Sequence, residues 1–426
     1  MPSPEITTNY KTSDGVDLGK KLITKDYLIS VYPQIANQII TPELWVWGDM
    51  SYGALGNSIG GTTGVRCTPV TTLTGGSNWK QVASGDEIMA AIKNDGTLWT
   101  WGKNNSGQLG DNTRTTRSTP VTTFAGGTNW KQVGAGYNHC AAIKTDGTLW
   151  TWGNNGYGQL GDNTIFSRST PVTTFAGGTN WKQVSSGDQY CAAIKTDGTL
   201  WTWGRNSYGN LGNNTTITRS TPVTTFAGGT NWKQVSSGSG GGNTGTGGDY
   251  MMATKNDGTL WGWGSNSEGQ LGINVAALFS TRCTPVTTFV GGTNWKQVSC
   301  GNSFFSPVSA AIKTDGTLWT WGSNASGGLA INSSISKSTP VTTFAGGTNW
   351  KQVGAGYNHC AAIKTDGTLW TWGNNNKGEL GINVQDLINV RITPVTTFAG
   401  GTNWKQVSCG YKITAVIKTS DDLQGI

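Results

Sequence analysis

Residues 129–175 read NWKQVGAGYNHCAAIKTDGTLWTWGNNGYGQLGDNTIFSRSTPVTTF, and this stretch decides the fold. NWKQVGAG is a short β-rich run that ends in glycines. CAAIKTDGTLWTWG is two further runs joined at Asp146-Gly147. That pair is a strong hairpin signal, and it predicts a type I′ turn with positive φ at both central residues. In Cys140-Ala141-Ala142-Ile143 both faces are apolar and mostly small, as expected where strands crowd near a central axis. Side chains alternate along a strand, so Trp150 and Trp152 share one face. GQLGDN then turns the chain. TPVTTF reads as an outer strand, whose Pro171 is tolerated because an edge needs no ladder donor there. Four strands per unit make one blade of a propeller.

The unit is written seven times. NWKQV, or its near-copy, places tryptophans at 79, 130, 181, 232, 295, 350 and 404. LWxWG opens at Leu44, Leu98, Leu149, Leu200, Leu260, Leu318 and Leu369. One indole from the first phrase and two from the second account for all 21 tryptophans of the 426-residue chain. A period of about 51 residues points to a propeller or a solenoid. The ends discriminate. The chain enters mid-unit at Leu44 and leaves mid-unit after Trp404, so residues 44–73 and 403–419 are complementary halves of a seventh blade. Pairing them closes the ring and leaves no open sheet edge. A linear solenoid would need capping repeats, and none is visible. The expected architecture is all-β: a seven-bladed β-propeller over residues 44–426 with an N-terminal extension, residues 1–43.

The net charge of +7 looks like a signal for nucleic acid until it is traced. Lysine follows Trp in every NWKQV (Lys80, Lys131, Lys182, Lys233, Lys296, Lys351, Lys405). Another precedes each hairpin turn (Lys93, Lys144, Lys195, Lys255, Lys313, Lys364, Lys418). A basic residue stands three before each TPV proline, from Arg66 to Arg391. Even spacing reads as rings of blade-stabilising or solvated charge, not as a patch that grips phosphates, so no nucleic-acid partner is expected. The seven cysteines fall at three repeat positions, too far apart across blades to bridge, and read as small buried thiols suited to a reducing compartment. No apolar run is long enough to span a membrane, and the N-terminus has no apolar core segment, so neither membrane insertion nor a secretory signal is expected.

The order of signals within each unit resembles the regulator of chromosome condensation repeat family. Gly136 to Ala141, Asp146-Gly147, Trp152-Gly153 and Gly158-Gln159-Leu160-Gly161 followed by Pro171 carry the likeness, over roughly residues 44–419. Ala330, in place of the last glycine of GxLG, is a departure. The resemblance implies a seven-bladed propeller that binds another macromolecule. Family activities include exchange on a Ran-type GTPase and inhibition of β-lactamases by a bacterial propeller. The exchange factor's inserted wedge has no counterpart here. Within the extension, residues 11–33 resemble N-terminal segments of appendage proteins in marine tailed phages, and Thr24 could cap a short helix ending before Pro33.

Residues 118–155 and 338–375 are identical, which duplication explains better than function. A specific site is therefore sought where blades depart from the template. Ser236–Tyr250 is a Gly-rich insertion, and residues 301–307 (GNSFFSP) replace the same loop in the next blade. Both follow the NWKQV strand, so Tyr250, Phe304 and Phe305 are the candidate partner-binding residues, on one rim. Residues 274–279 and 383–388 enlarge the turn after GxLG in two blades. The Gly-rich loop lacks the GK[ST] ending of a phosphate cradle. His139 and His359 recur at one repeat position, and no catalytic triad, HExxH or isolated carboxylate pair occurs, so no catalytic residue, cofactor or metal is expected. The functional expectation is a non-enzymatic structural protein of a phage virion, an appendage, fibre or decoration. Residues 1–43 would dock it to other virion proteins and the ring would meet a host surface molecule. The alternative is a secreted or cytoplasmic bacterial propeller that binds and inhibits another protein.

Overall fold

A computed structural model describes residues 7–11, 17–22, 42–58, 64–72, 76–238, 248–276, 280–301, 303, 306–383 and 390–419. Seven four-stranded antiparallel sheets follow one another around a ring, each in simple meander order. In the second blade the strands are Trp130–Ala135, His139–Lys144, Leu149–Gly153 and Arg168–Thr173. The seventh blade joins the two ends of the chain: Trp404–Cys409 and Ile413–Thr419 continue into Pro42–Asp49 and Val65–Thr71. Its central ladder pairs Leu44 with Ile417 and Trp47 with Thr414. The ring is closed as the half-units predict. Outside it, Thr7–Lys11 pairs with Asp17–Leu22 in a separate two-stranded sheet, while the short helix expected after Thr24 lies outside the described residues.

The order of strands from the axis outward differs from one expectation. The first strand, NWKQV, lines the channel. The small apolar strand, Cys140-Ala141-Ala142-Ile143, is second and is buried on both faces because neighbouring blades cover it. The hairpin turn also differs. Gly147 has φ of 81°, but Asp146 is not among the positive-φ residues, so the loop is not type I′. Gly147 N–H donates to Lys144 O (3.0 Å) and Lys144 N–H to Thr148 O (3.0 Å), a three-residue loop with left-handed glycine last. This geometry frees the Asp146 carboxylate to accept from Thr148 N–H and Oγ1 at 2.9 and 2.7 Å. A Cβ on Gly147 would meet Thr179 O at 2.0 Å, so the position admits only glycine.

Tryptophan fixes the blades internally and to one another. Trp130 lies between Trp150 and Trp152, each 6.3 Å away, and Lys144 Nζ caps Trp130 and Trp150 at 4.8 and 4.5 Å. Aromatic pairs of this kind add about 0.5–1.5 kcal/mol beyond area burial. Across blades, Trp152 Nε1 donates to Gln108 O of the preceding blade at 2.9 Å. The equivalent bond closes all seven interfaces, including Trp47 Nε1 to Glu379 O at 2.7 Å. The final glycine of GxLG lets the indole approach: a Cβ on Gly110 would lie 2.8 Å from Trp152 Nε1.

A second belt runs around the channel. Each first-strand glutamine holds both backbone groups of a valine in the next blade. Gln81 Nε2 donates to Val133 O (2.9 Å) and accepts Val133 N–H (3.0 Å) at Oε1. The pattern continues through Gln132, Gln183, Gln234, Gln297 and Gln352, and Gln406 returns it to Val82. The inner edges of seven separate sheets thus have their ladder groups satisfied by side chains, which answers the edge-strand problem without joining the sheets.

Candidate functional site

All first strands run the same way, so the channel has two chemically different mouths. At one, the loops between first and second strands emerge. These are the loops expected to carry recognition, and their described residues share one rim. Their backbones are tied across blades: Asp86 N–H donates to Gly136 O, Tyr137 N–H to Gly187 O, Tyr357 N–H to Gly410 O and Tyr411 N–H to Gly85 O, at 3.1–3.3 Å. A rim fixed this way loses little entropy on binding.

The three residues selected from sequence fare differently. Phe304 and Phe305 lie outside the described residues. Tyr250 is fully buried, so it is corrected from a contact residue to a support. Its hydroxyl donates to Val308 O (2.9 Å) and accepts from Gly301 N–H (3.1 Å), pinning both stems of the next blade's loop. Tyr190 repeats the device one blade earlier, with its hydroxyl 2.5 Å from Gly238 O and 2.7 Å from Tyr250 O. Position explains the correction. The first residue of a second strand points between blades, whatever insertion precedes it.

The rim itself presents side chains that sequence reasoning missed. Lys103 Nζ sits 2.6 Å from Glu87 Oε2 and faces the rings of Tyr52 and Tyr137 at 4.9 and 5.9 Å. The Arg205 guanidinium lies 5.6 and 5.9 Å from Tyr157 and Tyr208. Lys412 Nζ is 4.5 Å from the Tyr411 ring, which meets Tyr357 edge-on at 4.5 Å. Burial and the neighbouring Glu87 raise the Asp86 carboxyl well above its usual range. Burial first, then the nearby Asp86, raises the Tyr137 phenol. The signal for these residues was present. They are substitutions at fixed positions of repeats that otherwise hardly vary, a quieter signal than an insertion.

The histidines are packing groups. His139 Nε2 lies 3.0 Å from Cys191 Sγ and His359 Nε2 lies 2.9 Å from Thr414 Oγ1; burial lowers both imidazoles to about 4. None of the seven cysteines forms a disulfide, and burial pushes the Cys191, Cys300 and Cys409 thiols up to about 12. Among the described residues no group of three or more His, Cys, Asp or Glu could hold a metal ion, and no helix is long and apolar enough to cross a membrane.

At the opposite mouth, the lysine of every NWKQV is exposed. The even spacing that reads as dispersal along the chain becomes a ring on one face once the chain closes. The ring of solvated charge read from the spacing is gathered at one mouth of the channel.

Comparison with known proteins agrees with this architecture. The regulator of chromosome condensation (RCC1) repeat matches residues 95–143, 146–194, 197–241, 257–305, 315–363 and 366–417. The ultraviolet-B receptor UVR8 of Arabidopsis thaliana is 30% identical over 344 residues, covering 80% of this chain and 72% of that protein. The E3 ubiquitin-protein ligase HERC2 of Homo sapiens is 26% identical over 387 residues, covering 88% of this chain and only 8% of that one. Among solved structures, human WBSCR16 superposes with a TM-score of 0.73 at 22% identity, covering 89% of this chain and 100% of that one. Prp20p of Saccharomyces cerevisiae gives 0.74 at 18% identity, covering 91% and 95%. At these identities the structural likeness speaks for the fold alone.

Proposed function

Because the chain belongs to the regulator of chromosome condensation (RCC1) repeat family, we propose that it is a non-enzymatic binding propeller whose tyrosine-rich rim grips another protein. The observation that carries this reading is the rim's composition. Tyr52, Tyr137, Tyr157, Tyr208, Tyr357 and Tyr411 are set with Lys103, Arg205 and Lys412, and the backbones of Tyr137, Tyr357 and Tyr411 are tied across blades. Tyrosine and arginine are the residues that dominate protein interfaces. Relatives support a protein partner: Prp20p is described with binding properties to Gsp1p and histones. Replacing Tyr52, Tyr137 and Tyr411 with Ser tests the assignment. Affinity capture by the wild-type chain, lost in this variant with the melting temperature intact, supports it. Capture that survives the change contradicts it.

The narrower reading is a phage virion appendage docked through residues 1–43, with the rim meeting a host surface molecule. It is supported by the N-terminal resemblance, on a segment mostly outside the described residues. Immunogold labelling of particles from the source tests it, and particles free of the chain leave the soluble or secreted inhibitor of another protein as the reading in force.

A further inference from the structure

The lysine mouth is separate from the tyrosine rim, and nothing in the binding role just described uses it. Lys80, Lys296, Lys351 and Lys405 come from four consecutive blades and, with Gln297, Gln352 and Gln406, line a concave opening of about 620 Å³. That volume falls within the roughly 300–1,000 Å³ of small-molecule sites. Lys131, Lys182 and Lys233 occupy the same position in the remaining blades and complete the ring. Among the described residues no carboxylate lies within ion-pair distance of any of the seven.

This face carries the seven NWKQV lysines and the seven that precede the hairpin turns. Facing them are six hairpin aspartates (Asp95, Asp146, Asp197, Asp257, Asp315, Asp366) and Glu43. Fourteen cations against seven anions leave this set of residues with a surplus of seven positive charges. The two sets of lysines also differ. The pre-hairpin lysines are half-buried over indoles, as Lys255 is over Trp232 and Trp261 at 4.6 and 4.2 Å. The NWKQV lysines project from the rigid glutamine belt with no such contact. Seven exposed ammonium groups around one mouth repel one another, and a ligand of opposite sign relieves that repulsion.

We propose that this mouth binds a compact, multiply phosphorylated anion, one per ring. Lysine supplies phosphate with point charges free of directional demand, and a ring of identical donors suits a small ligand whose phosphates radiate from a centre. The glutamine belt forms the floor and sets the depth of entry. Titration calorimetry on the full chain at low salt tests this with inositol hexakisphosphate and tripolyphosphate as probes, beside hexaglutamate and a DNA duplex. The expected result is one-to-one binding of inositol hexakisphosphate, weakened at least about tenfold in Lys296→Gln/Lys351→Gln/Lys405→Gln. It is retained in Arg114→Gln/Arg219→Gln/Arg282→Gln, which loses the same charge elsewhere. Absence of phosphate binding overturns the proposal, as does equal loss in both triple variants. Tighter binding of hexaglutamate or duplex than of either phosphate probe reassigns the mouth to an acidic protein segment or to nucleic acid, and also overturns it.

Discussion

The two mouths of the channel are built from the same seven first strands, yet one repeats and the other does not. At the lysine mouth every blade presents the same ammonium group at the same radius. At the opposite rim the equivalent positions read Asp86, Tyr137, Asp188, Tyr357 and Tyr411, and the side chains behind them include Lys103, Arg205 and Asp49. Repetition gives strength in numbers without address, which suits a small ligand of high charge. Variation gives a surface with a unique pattern, which suits one protein partner. The blades between them keep both mouths in register through the indole and glutamine belts.

Opening the ring is the most severe way to break this arrangement. Deleting residues 42–71 removes the outer half of the seventh blade, exposes the edge of Ile413–Thr419 and takes away Trp47 and the Ala54 carbonyl, and with them two of the seven indole bonds. Loss of cooperative thermal unfolding or conversion to oligomers is expected, seen by calorimetry with size-exclusion chromatography. A monomer melting as the intact chain does would contradict closure.

Acid acts next, beneath the rim. His139 and His359 stay neutral when folded down to about pH 4, whereas unfolded histidine takes up a proton near 6.5. The unfolded state therefore binds more protons between those values, and stability falls as pH drops through that window, by up to about 3 kcal/mol per histidine. Denaturant titrations at a series of pH values check the slope, which should flatten when both residues are replaced by Tyr, the residue at position 190.

Glu379 works in the opposite direction. Burial holds its carboxyl at about 7, above the unfolded value of 4.5, so its neutral form is favoured and stability is lost as pH rises from 4.5 to 7. Glu379→Gln restores the residue found at Gln108, Gln159 and Gln270. It should add about 1–3 kcal/mol at pH 8 and almost nothing below pH 4.5. Equal gains at both pH values would show that packing, not charge, is responsible.

The smallest effect is expected at Ala330, which adopts φ of 54° where the other blades place glycine. Ala330→Gly should stabilise by about 1 kcal/mol, measured by the denaturation midpoint, because a left-handed alanine is strained.

The blades and their closure were legible because each strand carries its own periodic signal and the half-units at the two ends complement each other. What escaped did so for physical reasons. Asp-Gly serves both the two-residue turn and the three-residue loop, and only the bond from Lys144 N–H to Thr148 O tells them apart. Tyr250 borders an insertion, but strand position, not neighbourhood, decides burial. The lysines look dispersed until rotation about the axis superimposes them. The rim tyrosines are single substitutions, quieter than inserted loops, and their convergence depends on cross-blade contacts that a linear reading does not contain.

Amine-reactivity footprinting of the intact chain, with and without inositol hexakisphosphate, tests the difference between the two mouths most directly. The account predicts that Lys80, Lys131, Lys182, Lys233, Lys296, Lys351 and Lys405 react fastest and are protected together by the ligand. Lys103 and Lys412 on the rim should keep their reactivity. Protection centred on Lys103 and Lys412, or spread evenly over all lysines, would contradict it.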